Sequence, residues 1–264
     1  MGNKETKEKN RQERIGEEST TKYGTKAIIV DYINTKHVVV EFQDKYRYRY
    51  TTSYTNFKNH QLTNPYDCRN GGIGFIGVGK YNSKDHKLAY HKWKAMLERC
   101  TAEAEKLRYS EKSYKDCLVC EEWLNFQKFA EWFYSELYDI DGEPICIDKD
   151  ILYHDNQLYS PSTCLLVPQR INLLFIKEKA RRGNTIIGSY YHKDRGKYLC
   201  SLSTSENGKK EKIFLGFFDN EIDAFYVYKY AKEKYIKELA DRYKYIIPKK
   251  VYDALYQYEV LITD

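Results

Sequence analysis

No stretch of this chain approaches the ~20 consecutive apolar residues of a membrane-spanning helix, which argues against an integral membrane protein. Its opening, MGNKETKEKNRQER, has no apolar core of the signal-peptide kind, so the expected compartment is the cytoplasm. The seven cysteines are odd in number and scattered, which points to reduced thiols rather than a disulfide framework. A CxxC pair occurs once, at Cys117 and Cys120, with no second pair to complete a two-knuckle zinc site. Cys100, Cys146 and Cys164 complete a four-ligand set only if the fold gathers them, so structural zinc is disfavoured. The stretch RNGGIGFIGVGKY is rich in glycine but lacks the following helix and the GK[ST] ending of a phosphate loop. A joint with close backbone contacts is the expectation there. No repeat of the solenoid type is present.

What the chain does have is charge. Charged residues make up 31%, mean hydropathy is −0.75, and the net charge is +6 with a pI near 8.7. This polar, moderately basic balance favours an anionic partner without identifying one. Tyrosine is frequent, at 27 residues beside abundant Lys and Ile. A/T-rich codon usage accounts for much of that, so each Tyr is not a base-stacking platform.

Patterning divides the 264 residues into an α+β series of small units. Residues 1–22 are charged and poor in apolar residues, and a flexible arm is expected. Residues 23–65 carry β-branched runs, KAIIVDYI and HVVVEF, separated by Asn34-Thr35-Lys36, then the alternating YRYRYTTSY. That predicts a small antiparallel, SH3-like β-domain. In the last run Lys45, Arg47 and Arg49 alternate with Tyr46, Tyr48 and Tyr50. Either the tyrosines are core and the basic residues solvated, or the basic stripe follows a DNA backbone. Residues 66–86 form the glycine-rich linker, and a second joint is expected at Arg181–Asn184.

Residues 87–180 begin with a helical period in LAYHKWKAMLERC, and a second helix is predicted over Cys120–Leu137 with Trp123, Phe126, Phe129 and Phe133 as core. ICIDKDIL reads as a strand and HDNQ as a turn. Residues 184–264 read as three strands, IIGSYYH, KYLCSLSTS and Lys209 to Phe218, followed by the helix NEIDAFYVYKYAKEKYIKEL. Asn220 is its N-cap, and Ala224, Val227, Tyr228, Ala231 and Tyr235 form its inner stripe.

Several separated anchors in the central unit carry a resemblance. They are Trp93, Arg99-Cys100, Cys120-Glu121-Glu122-Trp123 with Phe126 and Phe129, Ile147-Asp148-Lys149, Tyr159-Ser160-Pro161 with Cys164, and Arg170-Ile171-Asn172. Together they resemble the HNH-like proteins of bacteriophages over about 85 residues. The resemblance implies a metal-dependent DNA endonuclease working on one Mg²⁺ or Mn²⁺ in a bacterial host cell. In that pattern a His takes a proton from water, an Asn orients it, and the metal stabilises charge building on the phosphate. Carried over, Asp148 and Asn172 hold the metal and Asn156 is the middle position. Lys149 stands where the base belongs, and a protonated lysine cannot accept a proton. Asp150 and His154 are the possible substitutes.

The C-terminal unit resembles an AP2 DNA-binding domain over some 55 residues. The carriers are Ile187-Gly188, Gly196-Lys197-Tyr198, Phe214-Leu215-Gly216-Phe217-Phe218 and Ala224, Tyr228 and Ala231 on the helix. The resemblance implies a sheet in the major groove of double-stranded DNA. Its DNA-facing positions would be Tyr190, His192, Arg195, Lys197, Ser201, Ser203 and Lys212. Three function classes follow: a homing-type endonuclease with an AP2 targeting domain, a non-catalytic DNA-binding or regulatory protein, and a phage protein that inhibits a host defence complex through a protein partner.

Overall fold

The computed structural model describes residues 9, 11–101, 117–140, 142–175, 185–206 and 209–264. It is a mixed α+β chain with several antiparallel sheets, as the patterning predicts. The chain forms two compact units, Met1–Thr101 with Glu121–Ala130, and Ala102–Cys120 with Glu131–Asp264. Among the described residues no helix is long and apolar enough to cross a membrane.

In the first unit, four strands form one antiparallel sheet in sequence order: β1 (Glu18–Thr20), β2 (Lys26–Asn34), β3 (His37–Phe42) and β4 (Arg49–Thr52). Alternation along β2 and β3 turns Ala27, Ile29, Val38, Val40 and Phe42 inward, onto Phe57 of the short helix α1 (Tyr54–Lys58). The Asn34 side chain makes the β2–β3 turn by accepting from the N–H groups of Lys36 and His37. β1 falls within the segment expected to be a flexible arm. The arm reading is corrected there, because Glu18, Ser19 and Thr20 pair with Ile28, Ala27 and Lys26.

The glycine-rich stretch is packed rather than a free joint. A Cβ on Gly74 would lie 2.2 Å from Leu97 and 2.8 Å from Trp93, both on α2 (Lys87–Arg99). A Cβ on Gly79 would lie 2.3 Å from the Gln127 amide, whose Nε2 donates to the carbonyls of Ile76 and Tyr81. The glycines admit close backbone approach, so α2 packs in this unit, with Trp93 Nε1 donating to the Trp123 carbonyl at 2.6 Å. The helix predicted over Cys120–Leu137 is a 3-10 turn (Glu121–Leu124) followed by α3 (Phe126–Glu136), and α3 runs from the first unit into the second.

The second unit holds a parallel pair, β5 (Leu118–Val119) with β7 (Leu158–Tyr159), and an antiparallel pair, β6 (Ile145–Asp148) with β8 (Leu165–Pro168). Helix α4 (Gln169–Leu174) follows β8 directly. A three-stranded antiparallel sheet comes next, ordered β11 (Lys209–Phe218), β10 (Lys197–Glu206), β9 (Ser189–His192). Helix α5 (Glu221–Tyr243) covers one face of it, and α6 (Lys249–Gln257), which the sequence reading left without structure, closes the end. Val167 and Ile171 share one apolar cluster with Cys200, Leu202, Ala224, Phe225 and Leu239. The expected boundary between residues 87–180 and 184–264 therefore differs from the observed division, since one core serves both β6–β8–α4 and the C-terminal sheet. The joint expected at Arg181–Asn184 lies outside the described residues.

Helix α5 begins as its sequence predicts. Asn220 Oδ1 accepts from the Asp223 N–H at 2.8 Å, satisfying a free donor of the first turn. Glu221 accepts from the Ile186 N–H at 2.7 Å and the Ser189 hydroxyl at 2.9 Å, tying the start of β9 to the helix. Gly188 has φ +80°, and a Cβ there would fall 2.0 Å from the Tyr228 ring. Only glycine lets strand and helix come that close.

Candidate functional site

Two places in the second unit gather the residues singled out from sequence. The first is the turn after β6. Asp148 is buried, and its Oδ1 accepts from the N–H groups of Asp150 and Ile151, both at 2.8 Å. Burial pushes its carboxyl up to about 6, helped by the Asp150 charge and opposed by the two N–H donors and the Lys149 ammonium. Lys149 is also buried, and its Nζ donates to Asp150 Oδ1 at 2.7 Å and to the Asn156 carbonyl at 2.5 Å. Asn156 replies, its Nδ2 donating to the carbonyls of Lys149 at 2.9 Å and Leu158 at 2.8 Å. The turn is thus a ring of polar contacts that the Lys149 ammonium closes.

His154, a possible substitute base, is half-buried. Its ring lies 4.7 Å from that of Tyr258, and its Nδ1 is 3.6 Å from the Asp264 carboxylate. The imidazole is therefore engaged with the C-terminal segment. Asn172 sits in α4, which leaves β8 beside Ile145, while Asp148 pairs with Leu165 at the hairpin's other end. The two residues assigned to a metal start from opposite ends of one hairpin. Among the described residues no group of three or more His, Cys, Asp or Glu side chains is arranged to hold a metal.

These donors do not fit a catalytic divalent cation. Hard cations take exposed anionic oxygens, whereas Asp148 is buried and already holds two N–H donors on one oxygen. An ammonium already neutralises Asp150. What the arrangement does well is fix the loop, with the Lys149 ammonium spent on Asp150 and the Asn156 carbonyl.

The second place is the face of the β9–β10–β11 sheet turned away from α5. Cys200, Leu202 and Thr204 are buried on the helix side, with the Cys200 thiol against the Ala224 carbonyl. Pleating sends Lys197, Leu199, Ser201 and Ser203 to the other side. The register then sorts the neighbours: Tyr190 and Phe217 lie opposite Leu199, His192 opposite Lys197, Phe214 opposite Ser201, and Lys212 opposite Ser203. All six strand positions expected to face DNA share this one face. Arg195, in the β9–β10 turn, joins them by stacking its guanidinium on the Phe217 ring at 4.6 Å. Lys197 is partly spent, since its ammonium lies 3.0 Å from the Asp219 carboxylate.

Sequence reasoning missed Leu199, Phe214 and Phe217 on that face. Strict alternation would send Phe214 and Phe217, three residues apart, to opposite sides. Between Cys200 and Ser201 the register shifts by one, leaving Leu215 as an extra residue beside Gly216, whose φ is +138°. That bulge brings both rings out on one side, with centroids 5.3 Å apart. Tyr190 is 65% exposed and Phe214 59%, so two aromatic faces stand in solvent among basic side chains. The His192 ring meets Phe217 edge-on at 5.7 Å.

The alternating N-terminal run supports the solvated alternative for its basic residues. Arg49 pairs with Glu41 at 2.6 Å and Arg47 at 3.4 Å, while Tyr48 and Tyr50 stack along Phe42. Cys117 is buried and Cys120 partly so, and all seven cysteines are free of disulfides. No family model matches the chain, and no curated protein or solved structure matches it either.

Proposed function

We propose that this chain is a double-stranded DNA-binding protein that grips the duplex with the open face of the β9–β10–β11 sheet. On this reading the C-terminal unit is an AP2-like module, the β6–β8–α4 segment is an HNH-like fold retained without its chemistry, and the N-terminal sheet is SH3-like. A single observation carries it: seven positions picked from sequence as DNA-facing belong to one solvent face, with α5 covering the other. Arg195 and Lys212 supply charge for phosphates, and the net charge of +6 acts in the same direction at long range.

The non-catalytic part of the reading rests on Lys149. The residue in the position of the base is an ammonium committed to Asp150 and the Asn156 carbonyl. It keeps the loop shut and has no lone pair to offer a proton. Regulation or masking of DNA in a phage-infected bacterial cell is the matching role.

The test is binding of a mixed-sequence duplex, read by fluorescence anisotropy across a salt series. Arg195→Ala with Lys212→Ala should reduce the slope of log K against log salt by about 2, roughly 1 for each phosphate contact removed. Unchanged affinity and slope would remove the sheet from the account. Supercoiled DNA with Mg²⁺ or Mn²⁺ should stay intact with wild type. Nicking that Asp148→Ala abolishes would restore the endonuclease.

A further inference from the structure

The residues at the centre of the open face differ in kind from those at its edge. Leu199, Phe214 and Phe217 are apolar, Tyr190 is aromatic, and Ser201 and Ser203 are short. The cations Arg195, Lys197 and Lys212, with the His192 imidazole, lie around them. Among the described residues the centre has no Arg, Lys, Asn or Gln, the side chains that form bidentate contacts with guanine or adenine edges. Arg195 is the nearest candidate, and its guanidinium carbon lies over the Phe217 ring, 4.6 Å from the centroid.

A face so composed has little to offer a hydrogen-bonding base edge. It does have apolar surface held out to solvent, with the Phe214 ring 59% exposed. In the major groove the one apolar group on a base edge is the C5-methyl of thymine. Resting on the DNA-binding reading above, we propose that this sheet recognises duplex DNA by the C5-methyl groups of its pyrimidines, with Phe214 as the principal contact and the edge cations holding the phosphates. Charge complementarity commits the apolar centre to DNA, since a cationic rim suits a polyanion.

The side chain of Phe214 is oriented for this by the bulge at Leu215 and Gly216, and braced by Phe217 at 5.3 Å. Phe217 in turn has Arg195 over its ring and His192 set edge-on to it. The contact is thus backed by a layer whose own faces are covered, while Phe214 and Tyr190 remain open. Each methyl brought against such a surface strengthens binding by about fourfold, the equivalent of burying one apolar carbon.

The experiment compares four duplexes with wild-type protein: alternating dA-dT, the same with deoxyuridine for thymidine, alternating dG-dC, and the same with 5-methyl-deoxycytidine. Methylated members should bind tighter in both pairs, by about fourfold or more. The dG-dC pair separates methyl recognition from the shape of A·T-rich DNA. Phe214→Ala, an exposed substitution checked by its unfolding curve, should abolish the preference within both pairs, whatever affinity the two members of a pair then share. Equal affinity of wild type within both pairs would overturn methyl recognition and leave the DNA-binding reading standing. Failure to bind any duplex would overturn both, and tighter binding to single strands of the same sequence would overturn readout in the groove.

Discussion

The turn after β6 and the open sheet face handle charged and polar side chains in opposite ways. In the turn, Asp148, Lys149, Asp150 and Asn156 satisfy one another, and two of the four are buried. On the sheet, Tyr190, Phe214 and Lys212 face solvent. Groups already paired have little left to give a ligand, whereas groups held in place by the backbone register alone are available at no cost in broken contacts. Resemblance to an enzyme motif led to the first place and resemblance to a binding module led to the second. Only the second keeps its side chains open.

The largest expected effect breaks the sheet without touching its face. Gly188→Ala places a methyl on the base of the Tyr228 ring and forces an alanine into a left-handed conformation. It should destabilise by roughly 4 kcal/mol in urea unfolding, combining overpacking with backbone strain. DNA binding should fall with it. A change under about 1 kcal/mol would mean that β9 and α5 separate easily.

Next comes the buried carboxylate. Asp148 has its folded pKa raised, from 3.8 to about 6, so its contribution is favourable when protonated and is lost as pH rises through about 6. Asp148→Asn keeps the oxygen that accepts from Asp150 and Ile151. It should stabilise by up to about 3 kcal/mol at pH 8 and by little at pH 4. Equal stability of the two proteins at pH 8 would show that Lys149 neutralises Asp148 fully.

Lys149→Met tests the tie itself. It leaves Asp150 without its ammonium and the Asn156 carbonyl without a donor. A loss of about 2 kcal/mol is expected, less than for a fully buried pair because Asp150 is one-third exposed. Nuclease activity should not appear in this variant. On the sheet, Arg195→Ala with Lys212→Ala should weaken DNA binding by about 1–2 kcal/mol with no change in unfolding midpoint. Lys197→Ala should do least, under about 0.5 kcal/mol in stability, because its partner Asp219 is an exposed carboxylate.

Much of the fold was legible because its signals are local. The β-branched runs became β2 and β3, and Asn220 caps α5 where the sequence has its Asn. The inner stripe of α5 is likewise as its spacing predicts, with Ala224, Tyr228 and Tyr235 buried. The glycine-rich stretch misled because glycine marks two opposite conditions, freedom and crowding. Only the positions of Trp93, Leu97 and Gln127 decide between them, and those lie 19 to 48 residues along the chain from the glycine each one meets. The same holds at the turn. Lys149 was visible as an anomaly, but its partners are set by where Asn156 folds back. His154 meets Tyr258 and Asp264, about 100 residues on, and no local pattern announces that.

The extra residue in β11 also bears on how such a surface can change. Because Leu215 interrupts the alternation, the identities on either side of it obey two different parities relative to β10. Deleting that one residue would straighten the strand and keep Phe214 opposite Ser201 and Phe217 opposite Leu199, whereas regular pairing at the present length would turn Phe214 toward α5 and bring Ile213 and Glu211 to the solvent side. Which set of side chains meets solvent on the near half of β11 is thus decided by whether the bulge forms. The composition of the open face is therefore written partly in one irregularity of the backbone, and not in the side chains alone.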